Sequence, residues 1–156
     1  MPVAPHILLG NAAPSDWKAI VSLLLVNKLP IDGAHDHLGN YVVACLDADV
    51  VGVAGLEAYG DVALLRSFAV APAMQRQGIG RLLLQNMLTQ ARQRNIARLY
   101  LLTTTAAEYF EQWGFQRASR ADAPRALLAS AEFQGACPSN AVFMLLAMAQ
   151  ADANNP

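Results

Sequence analysis

The chain has 156 residues, of which 54% are hydrophobic and 15% charged, and its formal net charge is −1. This length fits one domain, and a chain so apolar can bury enough surface to fold, which excludes disorder. Eleven Lys and Arg against twelve Asp and Glu give no positive surplus for nucleic acid. The longest apolar stretch, Ala141–Ala149, is less than half of the roughly 20 residues that span a membrane.

The first half of the chain predicts a short strand, a helix and then three strands. Apolar residues recur at helical spacing from Trp17 to Leu25, and Lys28-Leu29-Pro30 ends this helix. Turn signals at residues 47–49 and 60–61 separate the later strands. The predicted strands are His6–Leu9, Tyr41–Leu46, Val50–Ala58 and Ala63–Val70.

The second half predicts a long amphipathic helix ending near Asn95, followed by shorter elements. Antiparallel hairpins early in the chain and a strand–helix–strand crossover in the middle indicate an α/β fold with a mixed sheet and helices on its faces. The elements expected after the long helix are a strand at Arg98–Leu102, a helix at Ala106–Trp113, a strand opening at Phe115, a helix at Arg120–Ser130, a loop at Phe133–Pro138, and a strand or helix at Ala141–Met148.

The N-terminal residues and the two cysteines indicate the cellular compartment. Met1–His6 lacks the basic and apolar segments of a secretory signal, and Cys45 and Cys137 are too few for a disulfide framework. We therefore expect a cytoplasmic protein with one domain over residues 1–149 and a disordered tail over residues 150–156. Ala141–Ala149 is a candidate face for a homodimer.

A glycine loop joins the strand Ala63–Val70 to the long helix. Its glycines, Gly78 and Gly80, let a ligand approach the backbone closely, and the first turn of a helix carries unpaired N–H groups that bind anions. The loop lacks the Lys-Ser/Thr of a P-loop and the third glycine of a dinucleotide fold. A plain helix-start loop is the alternative, but the buried strand before and the amphipathic helix after favour a phosphate ligand.

The segment from Val70 to Leu83 resembles the acetyl-CoA signature, Gln/Arg-x-x-Gly-x-Gly/Ala, of the GNAT superfamily of N-acetyltransferases. Ala106–Phe115 is similar to the short helix and Gly-Phe ending of that family. The resemblance implies a mostly antiparallel sheet splayed between its fourth and fifth strands, with helices on both faces and acetyl-CoA in the splay. It also implies a cofactor contact at Phe110, pairing of the pantetheine arm with the backbone of Phe68, Ala69 and Val70, and a pyrophosphate cradle formed by Gln75, Arg76, Gln77, Gly78, Ile79, Gly80 and Arg81.

Other segments carry a narrower resemblance. Leu56–Ser67, Tyr100–Thr105 and Glu132-Phe133 with Cys137-Pro138-Ser139 resemble the GNAT subgroup associated with arsenic-resistance gene clusters. Residues 101–104 and 110–115 also resemble the acetyltransferase domain of bacterial N-acetylglutamate synthase. Both resemblances imply a small acceptor amine, either an amino acid or an arsenical or phosphinic analogue of one.

Acetyl transfer needs a neutral amine, donors for the oxyanion, and a proton for the leaving thiolate. Many members of the family supply that proton from a Tyr four residues before the Gly of the Gly-Phe ending. Here that position is Phe110, which cannot donate, so the candidates are the neighbouring Tyr109, roughly 100° around the helix, and water.

Glu57 and Arg66 are charged residues in apolar strands, and each has two interpretations. Glu57 is a general base whose pKa is raised by burial, or it is solvated or paired with Arg66. Arg66 binds a carboxylate of the substrate, or it only pairs with Glu57. The resemblance places Tyr59, Thr103, Thr104 and His37 near the acceptor. The pair His35 and His37 lacks further ligand spacing, so we expect no metal.

The sequence therefore predicts an N-acetyltransferase that uses acetyl-CoA and acts on a small amine by direct transfer in a ternary complex, with neither nucleic acid nor membrane as partner. One alternative is acetylation of a protein N-terminus or lysine, which needs an open groove that residues 118–136 would obstruct. Another is a non-catalytic acyl-CoA-binding sensor, which the missing Tyr at Phe110 favours.

Overall fold

A computed structural model describes residues 6–148 as a seven-stranded sheet with helices on both faces. The sheet has the order β1-β2-β3-β4-β5-β7-β6, in which only β4 and β5 are parallel neighbours. No helix in the described part of the chain is long and apolar enough to cross a membrane. The elements are β1 (Ile7–Asn11), α1 (Trp17–Val26), β2 (Tyr41–Leu46), β3 (Asp49–Tyr59), β4 (Val62–Val70), α2 (Ile79–Gln93), β5 (Arg98–Thr103), α3 (Ala107–Glu111), β6 (Gln116–Ala118) and β7 (Val142–Ala147).

The alternation of apolar side chains along the strands builds two layers of core. Val42 and Ala44 of β2 point to the face covered by α2 and α3. Tyr41 and Val43, one residue out of step, point to the opposite face, which α1 covers. Further along that face, Leu127 fills a smaller cluster with residues of β4, β5 and β7.

β4 and β5 pair only at their beginnings, over Val62–Leu64 and Arg98–Tyr100. Beyond this point β5 continues to pair with β7 as far as Thr103, while β4 stays with β3. The two parallel neighbours therefore separate and leave a wedge between them. The mixed, splayed sheet with helices on both faces confirms the expected fold class.

A β-bulge lies in β4 where the wedge opens. Arg66 pairs with Gly55 and Ala69 pairs with Val53, so two residues of β4 stand opposite one of β3. Ser67, inside the bulge, has a φ of +57°. Because the bulge shifts the phase of the strand, Leu65 and Phe68 pack against the same cluster although they are three residues apart.

The helix predicted over Arg120–Ser130 is wrong. The structure has three short 3-10 turns in this region, Arg120–Asp122, Arg125–Ala129 and Ala131–Gln134. Pro124 lacks an N–H group and holds Ala123 extended, with a ψ of 136°, which ends helical structure there. The last element, left open as strand or helix, is the strand β7. The predicted tail, 150–156, lies outside the described residues.

Gly55 makes room for the ring of Tyr41, because a Cβ at position 55 would overlap that ring. Tyr41 is fully buried and its hydroxyl lies 2.7 Å from the Ser67 Oγ in the bulge. We expect Gly55→Ala to lower the free energy of unfolding by about 1–3 kcal/mol through overpacking, measured by urea denaturation.

Gly10→Ala is the matched control, since a Cβ at position 10 of β1 meets no atom within 4 Å. Its stability should stay close to that of the wild type. Equal stability of the two variants would contradict the close packing of Tyr41 on Gly55.

Candidate active site

A cavity of about 300 Å³ occupies the wedge between β4 and β5. Its walls come from Leu65–Phe68 of β4, from Leu101–Ala106 at the end of β5, and from Phe110 of α3. The loop Asn27–Pro30 after α1 and the segment carrying Glu132, Cys137, Pro138 and Ala141 close the other sides. The volume is in the range of sites for small molecules.

The loop before α2 forms an anion cradle, which we define as residues 76–81. Arg76 and Gly78 have φ values of +66° and +86°, the left-handed conformation that occurs in backbone nests for anions. Within residues 6–148, no backbone or side-chain acceptor receives the N–H groups of the cradle. Three of these residues form the first turn of the 15-residue helix α2. Free donors at a helix N-terminus fit a phosphate group.

Gly80 is the residue of the anion cradle that lies beside the cavity wall. A Cβ at this position would lie 3.5 Å from both the Phe68 ring and the Tyr109 hydroxyl. Phe68 lines the cavity, and its ring stacks on Tyr109 with centroids 6.1 Å apart. Burial raises the pKa of Tyr109. A hydrogen bond with Trp113 and the charge of Arg81 lower it, but burial outweighs both. The Tyr109 hydroxyl therefore keeps its proton at neutral pH.

Arg66 is buried between two carboxylates. Its Nη1 lies 2.7 Å from Oε2 of Glu57, and its Nε lies 3.3 Å from Oε2 of Glu132. Its Nη2 donates to the carbonyl of Pro30 at 3.2 Å. The exposed fractions of Arg66, Glu57 and Glu132 are 3%, 1% and 4%. The guanidinium is therefore held in a fixed position beside the cavity, whose wall includes Arg66.

The two carboxyls beside Arg66 have opposite pKa shifts. Burial alone would raise the pKa of Glu57, but hydrogen bonds from Tyr59, Arg66 and Ser130 outweigh it and hold the pKa below its usual value. The prediction that burial raises the pKa of Glu57 is therefore wrong. Burial raises the pKa of Glu132 to about 7, because the attraction of Arg66 is insufficient and Glu57 adds repulsion.

The predicted substrate residues fall into two groups. Arg66, Thr103 and Thr104 line the cavity. Tyr59 and His37 lie behind them at Glu57, to which the Tyr59 hydroxyl donates a hydrogen bond, with His37 Nε2 at 3.7 Å from Oε1. Within the described chain, neither Tyr59, His37 nor Glu57 belongs to the cavity wall.

The predicted cofactor residues lie along one path from the cavity to α2. Phe68 and Phe110 are on the cavity wall, and their rings pack with centroids 5.5 Å apart. Ala69 pairs with β3, and the Val70 carbonyl accepts a hydrogen bond from Gln75 Nε2 at 3.1 Å. Gln75 thus turns back to β4, and the anion cradle begins after it.

Glu132 and Cys137, which the sequence analysis named without giving either a site role, line the cavity. Burial, with the charge of Glu132, raises the pKa of the Cys137 thiol to about 12, so the thiol stays protonated and hydrogen-bonds to Glu132. A protonated thiol is a poor nucleophile and metal ligand. Within residues 6–148, no three His, Cys, Asp or Glu side chains gather as a metal site.

The splayed sheet and the anion cradle define a class of proteins, and comparison with known proteins names it. The Acetyltransferase (GNAT) family matches residues 13–115, and the chain belongs to this family. The amino-acid acetyltransferase of Neisseria meningitidis is 32% identical over 91 residues, which are 57% of this chain and 21% of that protein. The amino-acid acetyltransferase of Pasteurella multocida is 32% identical over 89 residues, which are 56% of this chain and 20% of that protein. The chain thus spans about a fifth of the length of these curated relatives.

Solved structures share the fold. The N-acetylglutamate synthase of Neisseria gonorrhoeae, complexed with coenzyme A and N-acetyl-glutamate, superposes with a TM-score of 0.80 at 24% identity, over 92% of this chain and 35% of that one. A Mycobacterium tuberculosis protein in complex with CoA superposes with a TM-score of 0.76 at 23% identity, over 91% of this chain and 99% of that one. The ribosomal-protein-S18-alanine N-acetyltransferase of Escherichia coli superposes with a TM-score of 0.68 at 21% identity, over 95% of this chain and 97% of that one.

The raised pKa of Glu132 makes stability depend on pH. A carboxyl whose pKa is higher in the folded state, about 7 against an ordinary 4.5, stabilises the fold at low pH, and this contribution is lost as the pH rises through that interval. We expect Glu132→Gln to reduce the difference in unfolding free energy between about pH 5 and about pH 8, measured by urea denaturation.

Glu111→Gln removes a carboxylate that is 42% exposed in a surface pair with Arg117 and serves as control. Its stability should follow the pH dependence of the wild type. A Glu132→Gln variant with an unaltered dependence would show that Glu132 does not titrate in this range.

Proposed function

We propose that this chain is an acetyl-CoA-dependent N-acetyltransferase that acetylates the amine of a small molecule bearing a carboxylate. One observation carries the proposal: the cradle of free N–H groups, suited to a phosphate, lies through Gly80 beside Phe68 on the wall of a cavity whose lining also includes Arg66, suited to a carboxylate. A cofactor with phosphates at one end and an acid-bearing acceptor at the other would meet between β4 and β5.

The anion cradle would hold the pyrophosphate of acetyl-CoA. Its N–H groups are free in the described chain, and Arg76 and Arg81 add positive charge near them. Gly80 lies next to Phe68 of the cavity wall, which places the cradle beside the cavity. The pantetheine arm would follow the unpaired edge of β4 along Phe68, Ala69 and Val70, with its thioester in the cavity. The solved relatives that bind CoA support this assignment.

Arg66 would bind the carboxylate of the acceptor. Arg66 is a residue of the cavity wall, and its Nη1 is held by Glu57, which within the described chain is not on the wall. Because Glu57 is off the wall and its pKa is lowered, we assign it a positioning role in place of the predicted base. The amino-acid acetyltransferases among the relatives support a carboxylate-bearing acceptor. An arsenical or phosphinic analogue would present a similar anion to Arg66.

The transfer itself would be direct. The neutral amine attacks the thioester carbon, and backbone N–H groups near Phe68 to Val70 stabilise the oxyanion. The C–S bond then breaks, and the thiolate takes a proton from Tyr109 or from water. Tyr109 is the candidate side chain because its hydroxyl keeps its proton and its ring stacks on Phe68, a residue of the cavity wall.

The test of this function is CoA release by the purified chain with acetyl-CoA and a panel of acceptors. The panel contains the protein amino acids, arsenical and phosphinic amino-acid analogues, and a peptide with a free N-terminus. We expect release with at least one small amine that carries an acidic group. Release with the peptide alone would favour a protein acetyltransferase, and acetyl-CoA binding without any release would favour a sensor; either result contradicts the proposal.

Gly80→Glu tests the proposed binding of acetyl-CoA at the anion cradle. The added carboxylate would place a negative charge in the anion cradle, so we expect acetyl-CoA affinity to fall about 100-fold or more in calorimetry. Gly80→Ala should bind like the wild type, because its Cβ makes ordinary contacts at 3.5 Å. Gly78→Glu should also abolish binding, but a φ of +86° adds strain there. Unchanged affinity in both glutamate variants would overturn the cofactor assignment.

Tyr109→Phe tests the proton donor. If Tyr109 protonates the thiolate, kcat should fall about 100-fold while the KM for acetyl-CoA stays the same. Tyr100→Phe is the matched control, because Tyr100 is buried against Phe143 in a separate cluster. Full turnover of Tyr109→Phe at every pH would assign the proton to water.

A further inference from the structure

Glu132 is the carboxyl on the cavity wall that the transfer described above leaves without a role. Among the described residues that line the cavity, it is the only acid, and Arg66 and Lys28 are the only cations. The 3-10 turn Ala131–Gln134 carries it inward, and its backbone N–H donates to Ser130 Oγ at 3.2 Å. Its nearby cation, Arg66, already pairs with Glu57, so one positive charge faces two buried carboxyls.

We propose that Glu132 binds the ammonium group of the acceptor and accepts the proton that leaves before the nitrogen attacks, while Arg66 binds the acceptor carboxylate. The acceptor class is then the α-amino acids and their close analogues. This inference rests on the proposed function. It adds the identity of the general base and the reason why the site would select an acceptor that carries both an ammonium and a carboxylate.

The spacing of the two charges supports an α-amino acid. The Arg66 Nε and the Glu132 Oε2 lie 3.3 Å apart on one wall. In an α-amino acid a single carbon separates the ammonium from the carboxylate, so a neighbouring pair of opposite charges can match both groups. Arg66 is held in place by Glu57 and the Pro30 carbonyl, which leaves Glu132 as the partner that can turn from Arg66 to the ligand.

The proton balance is complete without a further reactant. The Glu132 carboxylate takes one proton from the ammonium, and the freed lone pair forms the N–C bond to the thioester carbon. The C–S bond breaks and its electron pair stays on sulfur. A second proton from the nitrogen replaces the one that the thiolate takes from Tyr109 or water. The products are the N-acetylated acceptor, CoA as thiol, and a protonated Glu132 that returns its proton to water.

The surroundings of Glu132 suit a base that works near neutral pH. Its pKa of about 7 lets it take a proton and release it again, whereas the lowered pKa of Glu57 makes that carboxylate a weak acceptor. The titratable and charged groups that face Glu132 come from the sheet, from the loop after α1 and from its own segment: Tyr41, Glu57, Arg66, Lys28, Arg120 and Cys137.

The experiment is the pH dependence of kcat/KM with acetyl-CoA and L-glutamate, or with the α-amino acid that releases CoA fastest. For the wild type we expect an acidic limb near about pH 7, because the base must be unprotonated. Glu132→Gln should lose this limb, and its kcat should fall about 100-fold or more. Glu132→Asp should show a limb that is displaced in pH, at an intermediate rate. Glu111→Gln, an exposed change, should follow the wild type.

Separate readouts distinguish the possible failures. Acetyl-CoA affinity, measured by calorimetry, should be equal in all four proteins. A Glu132→Gln variant that keeps both the limb and the rate would overturn the role of Glu132 while the proposed function stands. A wild type that binds acetyl-CoA and acetylates no amine would overturn both. If Glu132→Gln does not fold, Glu132→Asp decides: a displaced limb supports the inference, and an unchanged profile overturns it.

Discussion

The separation of β4 and β5 is the constraint on which the rest of the site depends. Two parallel strands that pair over three residues and then part leave backbone donors and acceptors of β4 without a strand partner, and such groups must be met by something else. The wedge is kept open on both sides of the sheet, by Phe110 of α3 on one side and by the loop Asn27–Pro30 on the other. An extended ligand in this position would complete the sheet, so ligand binding and fold stability are coupled here.

The charges of the site are arranged around Arg66. Glu57, off the cavity wall, has a lowered pKa, and Glu132, on the wall, has a pKa of about 7. One guanidinium cannot neutralise two carboxylates, and the pKa is raised for the carboxyl that receives less hydrogen bonding. The same imbalance that destabilises the folded chain at high pH supplies a group able to move a proton, as functional sites often do.

Much of the fold and the anion cradle could be predicted from the sequence, because the signals are local. The period of Ile79, Leu83 and Met87 and the glycines before them determine a helix and its N-terminus within a few residues. The region after Ser119 could not be predicted in this way. Its turns depend on contacts with distant strands, such as the burial of Leu127 against Leu64. The local sequence therefore could not predict that Glu132 lies beside Arg66. The pKa of Glu57 was mispredicted for the same reason, since burial was evident from the strand and the three hydrogen-bond donors were not.

The bulge at Ser67 also sets a limit on how this protein can change through evolution. Because it places Arg66 toward one side of the sheet and Phe68 toward the other, the proposed carboxylate site and the proposed cofactor path share a single backbone irregularity. Loss of one residue there would return the strand to regular alternation and move every following side chain to the opposite face. Substitutions along β4 can therefore accumulate one at a time, whereas a deletion at this point would disrupt the proposed cofactor path and the packing of Ala69 together.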